Sequence, residues 1–349
     1  MKHFIFIWIL FLASYAHAQV GGNATYTFLK LTNSARVAAL GGENISINDN
    51  DLNFVYHNPA MLDSSMTNNL VLNYVNYFAD INYGYACYAR KINNYGIFAA
   101  GIHYINYGKF IQADPTGKIT GTFTASEMAL NIFWSKPLID SVLKIGVNLK
   151  PIYSHLESYS SFGLAIDAGL NYNSKNNLFS ASFAVRNFGS QLKPYVEGNY
   201  EPLPFDMLLG FSQKLEHAPF RMSVTLHHLH KWDMSYDPNS NQPYTYTDNN
   251  QLTENQYQYN VFDNLMRHTI FGMEFIPSKN FIVMLAYNHQ RRMEMKVETK
   301  PFLVGFSWGF YIRVYKLRLS YGQSIYHLAG ASNHFSVNFN LSDFYSKHN

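Results

Sequence analysis

Short segments in which apolar and polar residues alternate recur along most of the chain. From Phe335 to Ser342 the sequence reads FSVNFNLS, and residues 160–173 and 219–229 keep the same period of two. Successive side chains of a strand point to opposite faces, so each segment predicts a strand with one apolar and one polar face. A series of such strands is typical of an antiparallel sheet rather than of a helical domain.

The composition indicates what the apolar faces contact. Tyrosine and phenylalanine number 27 each and only 14% of the residues are charged, against about 25% in ordinary soluble proteins. Beyond the first residues no apolar stretch reaches about 18 residues, the length that a transmembrane helix needs. We therefore predict an all-β protein, a transmembrane antiparallel β-barrel of about 14 strands that contacts outer-membrane lipid. The net charge of +3 gives no indication of nucleic-acid binding.

The links between the predicted strands alternate in length, apart from the first link. Short links, such as residues 92–94 and the single residue Arg313, alternate with longer ones, such as 108–121 and 189–203. The longest link is 230–266. Outer-membrane barrels have short periplasmic turns and longer outer loops, so the long links are predicted to be extracellular and both chain ends periplasmic.

The start of the sequence is typical of an export signal. Lys2 precedes an apolar run from Phe4 to Ala13, and Ala16-His17-Ala18 supplies a cleavage site of small residues. Residues 1–18 are therefore predicted to be a signal peptide, and the mature protein is predicted to reside in the bacterial outer membrane. Cys87 is the only cysteine, which excludes an intramolecular disulfide and argues against a lipid-modified N-terminal cysteine.

Residues 19–68 lack sustained alternation. They contain a predicted helical turn at residues 34–40, which Gly41-Gly42 would end. We interpret residues 19–68 as an N-terminal hatch, or plug, that fills the lumen, and residues 69–349 as the barrel. The alternative is a disordered leader, which the apolar content of the segment makes the weaker interpretation.

One sequence matches a hydrolase motif. Gly305–Gly309 reads GFSWG, the G-x-S-x-G of a nucleophile elbow, which requires a strained strand-to-helix turn. Here Phe302, Val304, Phe306, Trp308 and Phe310 alternate through it and predict a lipid-facing row instead. No catalytic residue is assigned, and the protein is not expected to be an enzyme.

Two further clusters could suggest metal ions. Four histidines lie between positions 217 and 230, but without a second carboxylate nearby they are interpreted as interfacial residues. Residues 48–51 read NDND, yet the glycine and distal glutamate of a calcium loop are missing, so a solvated turn is preferred. No metal and no cofactor are therefore expected. The histidines are His217, His227, His228 and His230.

The polar faces of the predicted strands carry charges of both signs. Such charges neutralise one another or contact water, and they do not form the single-sign strip of an ion-selective pore. The cations predicted to face the lumen are Arg186, Arg221, Lys316 and Arg318, and the anions are Glu127 and Asp167.

The link 230–266 is rich in aromatic residues among Asn, Gln, Asp and Pro. Flat amphipathic rings of this kind suit contact with a protein or a glycan. A continuation of the aromatic girdle, or a mobile loop, is an equally weighted alternative. The candidate partner-binding residues are Trp232, Tyr236, Tyr244, Tyr246, Tyr257 and Tyr259.

Longer blocks of sequence resemble a known family. The blocks are GGNATYTFLKLTNSARVAALGG (21–42), NPA (58–60), VNYFADINYGYACYARK (75–91), GIHYINYG (101–108), KPIYSHLESYSSFGLAID (150–167), NYEPLPF (199–205) and LHHLHKWDMSYD (226–237). With these blocks the chain resembles the PorQ family of the type IX secretion system, which is related to PorV and to the FadL fatty-acid transporters. The SAR-x-A-A-L-G-G and N-P-A elements are shared with the wider FadL-like group, and the longer blocks point to PorQ.

The resemblance implies a FadL-like barrel of fourteen strands whose N-terminal segment enters the lumen. It also implies a non-enzymatic role in the attachment complex, which joins secreted cargo to lipopolysaccharide. The expected partners are a PorZ-like surface protein and other components of that complex, with lipopolysaccharide as a further candidate. The alternative function is a FadL-like channel for uptake of hydrophobic small molecules.

Overall fold

The fold is described from a computed structural model of the chain. The structure describes residues 24–78, 81–139, 142–234, 244–246, 252–254, 260–295, 303–327 and 330–345. The predicted signal peptide, residues 1–18, lies outside the described residues. Among the described residues no helix is both long and apolar enough to cross a membrane.

Within the described residues, fourteen strands form one closed antiparallel barrel, as the sequence predicts. Each strand pairs with its neighbours in the chain, except that β9 pairs with β12, because β10 and β11 form a separate two-stranded sheet. The strands are β1 Asn69–Asn76, β2 Asn82–Ile92, β3 Gly96–Ala113, β4 Ile119–Ile139, β5 Leu143–Leu156, β6 Tyr159–Asn173, β7 Phe179–Lys193, β8 Asp206–Lys214, β9 Phe220–Leu226, β10 Tyr244–Tyr246, β11 Leu252–Glu254, β12 Thr269–Ser278, β13 Phe281–Asn288, β14 Phe306–Val314, β15 Leu317–His327 and β16 Gly330–Asn340.

The first and last strands close the barrel. β1 pairs with β16 from Asn69 opposite Asn340 to Asn76 opposite Asn333. The start of β1 and the end of β16 therefore lie at the same end, together with the short turns that follow the even-numbered wall strands up to β8. We call this end periplasmic and the opposite end outer, as the link lengths predict.

The alternation in sequence appears as alternation in exposure. On β14, Phe306, Trp308 and Phe310 are exposed on the outside, whereas Ser307 between them is buried. On β6, Ile166 is exposed and Asp167 is fully buried. A closed barrel with an apolar exterior and a polar interior satisfies its backbone within a bilayer, so the protein resides in the bacterial outer membrane.

Several predicted strand boundaries are wrong, because turn residues and one glycine change where the strands begin and end. The predicted outer loop 108–121 is mostly a hairpin of β3 and β4, turned at Asp114, whose Oδ1 accepts from the backbone N–H of Lys118 at 3.0 Å. Val304 is buried rather than lipid-facing, because Gly305 (φ +87°) redirects the chain before β14. The turn predicted at Arg313 lies at Tyr315 (φ +55°) and residue 316.

Helices and 3-10 turns lie before and between the strands. Helix α1, Ala35–Ala39, begins at Ser34, whose Oγ accepts from the Val37 N–H, and Gly41 (φ +95°) follows its end, so the predicted helical turn is confirmed. The 3-10 turns are Thr27–Lys30, Leu52–Tyr56, Pro59–Met61, Ser64–Met66 and Asn93–Tyr95, and the remaining helices are α2 Val261–Arg267, α3 His289–Met295 and α4 Ser342–Tyr345.

Candidate functional site

Residues 24–68, called the N-terminal segment below, contact the inward face of the wall. A Cβ atom on Gly146 of β5 would lie 2.3 Å from the backbone of Pro59, and one on Gly169 of β6 would lie 2.0 Å from the Asn58 side chain. Glycine at both positions therefore permits the segment to approach the wall closely. The N-P-A sequence is a packing motif in this structure.

Helix α1 makes equally close contacts on the opposite side of the barrel. The Ala35 N–H donates to Ser336 Oγ on β16 at 2.9 Å, and Ser324 Oγ on β15 donates to the Ala38 carbonyl oxygen at 3.0 Å. A Cβ atom on Gly322 would lie 2.0 Å from the Ala35 carbonyl oxygen. The N-terminal segment therefore spans the lumen between β5–β6 and β15–β16.

A buried network of five charged groups joins α1 to β9 and β12. Arg36 Nη2 lies 2.8 Å from Glu274 Oε1, and Arg36 Nη1 lies 3.3 Å from Asp51 Oδ2. Arg36 also pairs with Asp49, which accepts from Arg221 Nη2 at 2.7 Å. Arg221 in turn pairs with Glu274. Two guanidinium groups thus neutralise most of the charge of three carboxylates, of which Asp51 and Glu274 are buried and Asp49 is partly exposed.

A second charged cluster joins the segment to β5, β6 and β7. Arg186 Nη1 on β7 lies 3.3 Å from Glu43 Oε1. Lys150 Nζ lies 2.6 Å from Asp167 Oδ2, and both of these side chains are fully buried. The Tyr56 ring of the segment packs against the Lys150 and Arg186 cations, at 5.0 and 5.5 Å from its centroid. These cation–π contacts add to the charge pairing.

Some of the charged residues that were predicted to face the lumen do so, and one does not. Arg186, Arg221 and Asp167 are buried in the lumen, as predicted. Lys316 is not a lumen residue, because its Nζ donates to the Asp343 carbonyl oxygen of α4 at 2.6 Å in the periplasmic turn region. The turn predicted at residues 48–51 is present and Asn50 is exposed, but the turn is not solvated throughout, because Asp51 is buried and its Oδ1 accepts from the Asn53 N–H.

The N-terminal segment supplies counter-charges that the sequence analysis missed. Arg36, Glu43 and Asp49 each pair with a wall residue. A fourth pair joins Asp63 to Lys144 of β5 at 2.9 Å. The charged residues at lumen-facing positions of the wall were a sequence feature from which these pairs could have been predicted, because such residues need partners of opposite charge when the lumen is filled.

A cavity of about 210 Å³ lies at the outer mouth, above the segment. Its walls come from the segment, the end of β9, the start of β12 and α3. The residues that line it include Lys30, Leu31, Glu43, His227, Ile270 and Arg291.

The start of the long outer loop is anchored beside this mouth. Trp232 is exposed and stacks on the His268 ring, with centroids 5.6 Å apart and planes 21° apart. The Trp232 carbonyl oxygen accepts from Asn264 Nδ2 and lies 2.9 Å from His268 Nε2. His268 Nδ1 lies 2.7 Å from the His227 carbonyl oxygen.

The other candidate partner-binding residues are less completely described. Tyr244 and Tyr246 lie on β10, opposite Glu254 and Leu252 of β11. Tyr236, Tyr257 and Tyr259 lie outside the described residues. Partner contact through these six aromatic residues stays a prediction.

The predicted histidine cluster is divided. His217 lies in the periplasmic turn between β8 and β9, whereas His227, His228 and His230 lie at the outer end of β9. The outer three surround Asp206, and His230 Nδ1 lies 3.6 Å from its Oδ1. In the described part of the chain no group of three or more His, Cys, Asp or Glu side chains has a geometry that could hold a metal ion.

Ser307 of the G-x-S-x-G match lies within strand β14. Its hydroxyl contacts Ser324 Oγ at 3.2 Å and accepts from Arg291 Nη1 at 3.2 Å. This is a wall position on a strand, as the alternation in sequence predicts, and not a strand-to-helix elbow.

Comparisons with known proteins agree with the barrel fold. No protein-family model matches the chain, and no curated protein matches it by sequence. A solved deletion mutant of the monoaromatic hydrocarbon channel TodX is 12% identical, covers 88% of this chain and 97% of that chain, and has a TM-score of 0.50. The P. putida toluene transporter TodX (11% identical, 89% and 97% covered, TM-score 0.46) and a Pseudomonas aeruginosa FadL homologue (10%, 88% and 98%, 0.46) are similar. At such low identity the likeness to the deletion mutant shows the fold alone, a FadL-like outer-membrane barrel.

Proposed function

We propose that the protein is a non-enzymatic anchor in the outer membrane that holds a soluble surface partner of the type IX secretion system, a PorZ-like protein of the attachment complex. One observation carries most weight: the N-terminal segment is bound by ion pairs to β5, β7, β9 and β12. A lumen occupied in this way suits a protein that presents a surface rather than one that conducts solutes. The resemblance of the sequence blocks to the PorQ family is the reason for proposing this partner.

The outer face of the barrel offers a surface suited to binding a partner protein. Trp232 is exposed, and its backbone is held by Asn264 and His268, so the ring is presented without a large loss of side-chain freedom on binding. Aromatic anchors held in this way supply much of the binding energy at protein interfaces. The remaining aromatic residues of 230–266 follow directly in the sequence.

A FadL-like channel for hydrophobic small molecules is the second candidate. It is favoured by the likeness to the structure of TodX, a monoaromatic hydrocarbon channel. Transport through the lumen would require the N-terminal segment to leave its ion pairs. The two candidates therefore differ in whether the segment must move.

Affinity purification of the tagged protein in mild detergent tests the anchor. A surface protein should co-purify with the intact barrel. It should be lost when residues 236–259 are replaced by a six-residue Gly-Ser linker, which removes five of the six candidate aromatic residues and keeps Trp232. The Met234 N–H and Asn264 Oδ1 are 2.9 Å apart, so a short linker can join the two ends without disturbing β9 or β12.

Heat-modifiable migration on gels provides the control for folding of that variant. Co-purification of the same partner with the folded loop variant would move the contact to another loop. If no surface protein accompanies the intact barrel and a bound aromatic hydrocarbon or fatty acid does, the channel is the correct function.

A further inference from the structure

A second cavity, called the periplasmic cavity below, lies at the end of the barrel opposite the outer mouth. Its volume is about 270 Å³, and residues of the N-terminal segment and of the periplasmic ends of β2 to β5 line it. Lys91 of β2 lies opposite Ile97 of β3, and Ile97 lies opposite Ser135 of β4. Lys136 follows Ser135 directly, and Lys144 is the second residue of β5. Three lysines from three strands therefore line one cavity.

These three lysines have few acceptors. Lys144 Nζ donates to Asp63 Oδ2 at 2.9 Å, which uses one of its three N–H groups. Lys91 and Lys136 are exposed, and in the described part of the chain their side chains form no ion pair and no hydrogen bond. Because Asp63 is the single carboxylate among the described residues of the lining, the lining carries a net charge of +2. This excess of positive charge at one place indicates an anionic ligand.

Neutral hydrogen-bonding groups complete the lining of the periplasmic cavity. Asn93 and Asn94, in the turn after β2, are exposed, and each carries a side-chain amide with two N–H donors. The turn is held against the wall, because Trp134 Nε1 of β4 donates to the Tyr95 carbonyl oxygen at 2.9 Å. Lysine and amide donors of this kind suit an oxyanion with several acceptor oxygens.

The size of the periplasmic cavity limits the ligand. A volume of about 270 Å³ is slightly below the roughly 300–1,000 Å³ of sites that enclose drug-sized ligands. The cavity therefore suits a small anionic group rather than a whole lipid or an oligosaccharide.

We propose that the periplasmic cavity binds a phosphate monoester group. Such a group carries a charge of about −2 at neutral pH and three acceptor oxygens, which match the net charge of the lining and its donors. Lys91 and Lys136 are exposed, so their ammonium groups can reach the phosphate oxygens, whereas Lys144 contributes its charge from the wall. A soluble phosphate ester and a lipid headgroup of the periplasmic leaflet share this chemistry. The inference is independent of the anchoring role proposed above.

Titration calorimetry on the full-length protein in phosphatidylcholine nanodiscs tests the site, with inorganic phosphate and glycerol 3-phosphate as probes. Both should bind saturably at one site per chain. Acetate carries a single charge and should bind at least about tenfold more weakly, which is the loss expected for one hydrogen bond between charged groups. Binding of glycerol 3-phosphate should also weaken below about pH 6, where a monoester loses its second charge. Equal affinity for acetate and phosphate, or no saturable binding of either phosphate probe, would overturn the proposal.

A change of lipid identifies the source of the phosphate. Phosphatidic acid presents a phosphate monoester at the membrane surface, whereas phosphatidylglycerol presents an anionic phosphodiester and controls for surface charge. A lower apparent affinity for glycerol 3-phosphate in nanodiscs with phosphatidic acid than in those with phosphatidylglycerol would show that a lipid headgroup occupies the site. Equal affinity in the two kinds of nanodisc would identify a soluble phosphate ester as the ligand.

Three variants connect the binding to this cavity. K91A and K136A should each weaken the binding of inorganic phosphate about tenfold, because each removes one cation from the lining. K175A, which removes an exposed lysine from the turn between β6 and β7 at the same end of the barrel, is the matched control and should bind as the unaltered protein does. Heat-modifiable migration on gels reports folding for all three. Unchanged binding to folded K91A and K136A, or an equal loss in K175A, would overturn the proposal.

Discussion

The N-terminal segment should be released from the lumen when Arg36 is replaced by methionine. Methionine keeps much of the aliphatic volume of arginine but removes the cation that contacts Asp49, Asp51 and Glu274. Asp49 and Glu274 would then keep the single guanidinium group of Arg221, and Asp51 would lose its contact with Arg36. The Glu274 side chain is 1% exposed, so water cannot replace the lost partner.

The size of the expected shift in the docking equilibrium of the segment follows from the burial of the charged network. Breaking a buried ion pair by removing one partner costs about 3–5 kcal/mol, and every 1.4 kcal/mol changes an equilibrium roughly tenfold. The population with an undocked segment should therefore rise by roughly two to four orders of magnitude. The barrel wall itself keeps all of its backbone pairing, so its folding should be unaffected.

Two measurements check this prediction for R36M. In planar bilayers, openings should be far more frequent than for the unaltered protein, and protease added on the periplasmic side should cleave within residues 24–68. R313M, at an exposed position near the periplasmic end of β14, is the matched control and should stay closed. If folded R36M is as closed and as protease-resistant as the unaltered protein, the ion pairs do not hold the segment in place.

Four further predictions concern the same structure. G322V should also release the segment, because a Cβ atom at this position would lie 2.0 Å from the Ala35 carbonyl oxygen. The control G121A should not, because the closest contact of its Cβ atom would be 3.4 Å. Bilayer conductance distinguishes the two variants. Burial alone would raise the pKa of Asp49, but Arg36 and Arg221 hold it well below its usual range. Its stabilising effect is therefore complete above about pH 4 and is lost as the pH falls through the lowered pKa, so acid should open the lumen, and D49N should already be open at neutral pH. A cysteine at Thr116 should react with a membrane-impermeant thiol reagent on intact cells, and one at Asn176 should react only after the outer membrane is opened. The reason is that these two turns lie at opposite ends of the barrel. Reversed labelling would contradict the orientation of the barrel in the membrane. H268F should leave the barrel folded but expose the start of the long loop to protease, because the Trp232 carbonyl oxygen loses its imidazole contact; a loop as resistant as before would show that Asn264 alone fixes it.

The sequence by itself determined the wall. Side chains alternate with a period of two along a strand, so a lipid-facing strand can be recognised from its own residues, as around Phe306 and Phe335. The number of strands can therefore be counted without knowing which residues are in contact. Gly41-Gly42 also located the end of helix α1, and the breaks in the alternation located most periplasmic turns to within a few residues. The link at 108–121 was misjudged, because strand pairing can continue beyond the membrane whenever a turn such as Asp114–Gly117 permits it.

Only the tertiary structure decided what fills the lumen and what pairs with it. Arg36 and Glu274 are 238 positions apart in the sequence and meet because the barrel closes around the N-terminal segment. The wall glycines Gly146 and Gly322 are likewise unremarkable in sequence, and their role depends on backbone that arrives from elsewhere in the chain. Charge pairing and close packing are properties of distance in space, which a local pattern of residues does not encode. The cavity beside Lys30 and His227 therefore became visible only once β9, β12 and α3 had assembled around the segment.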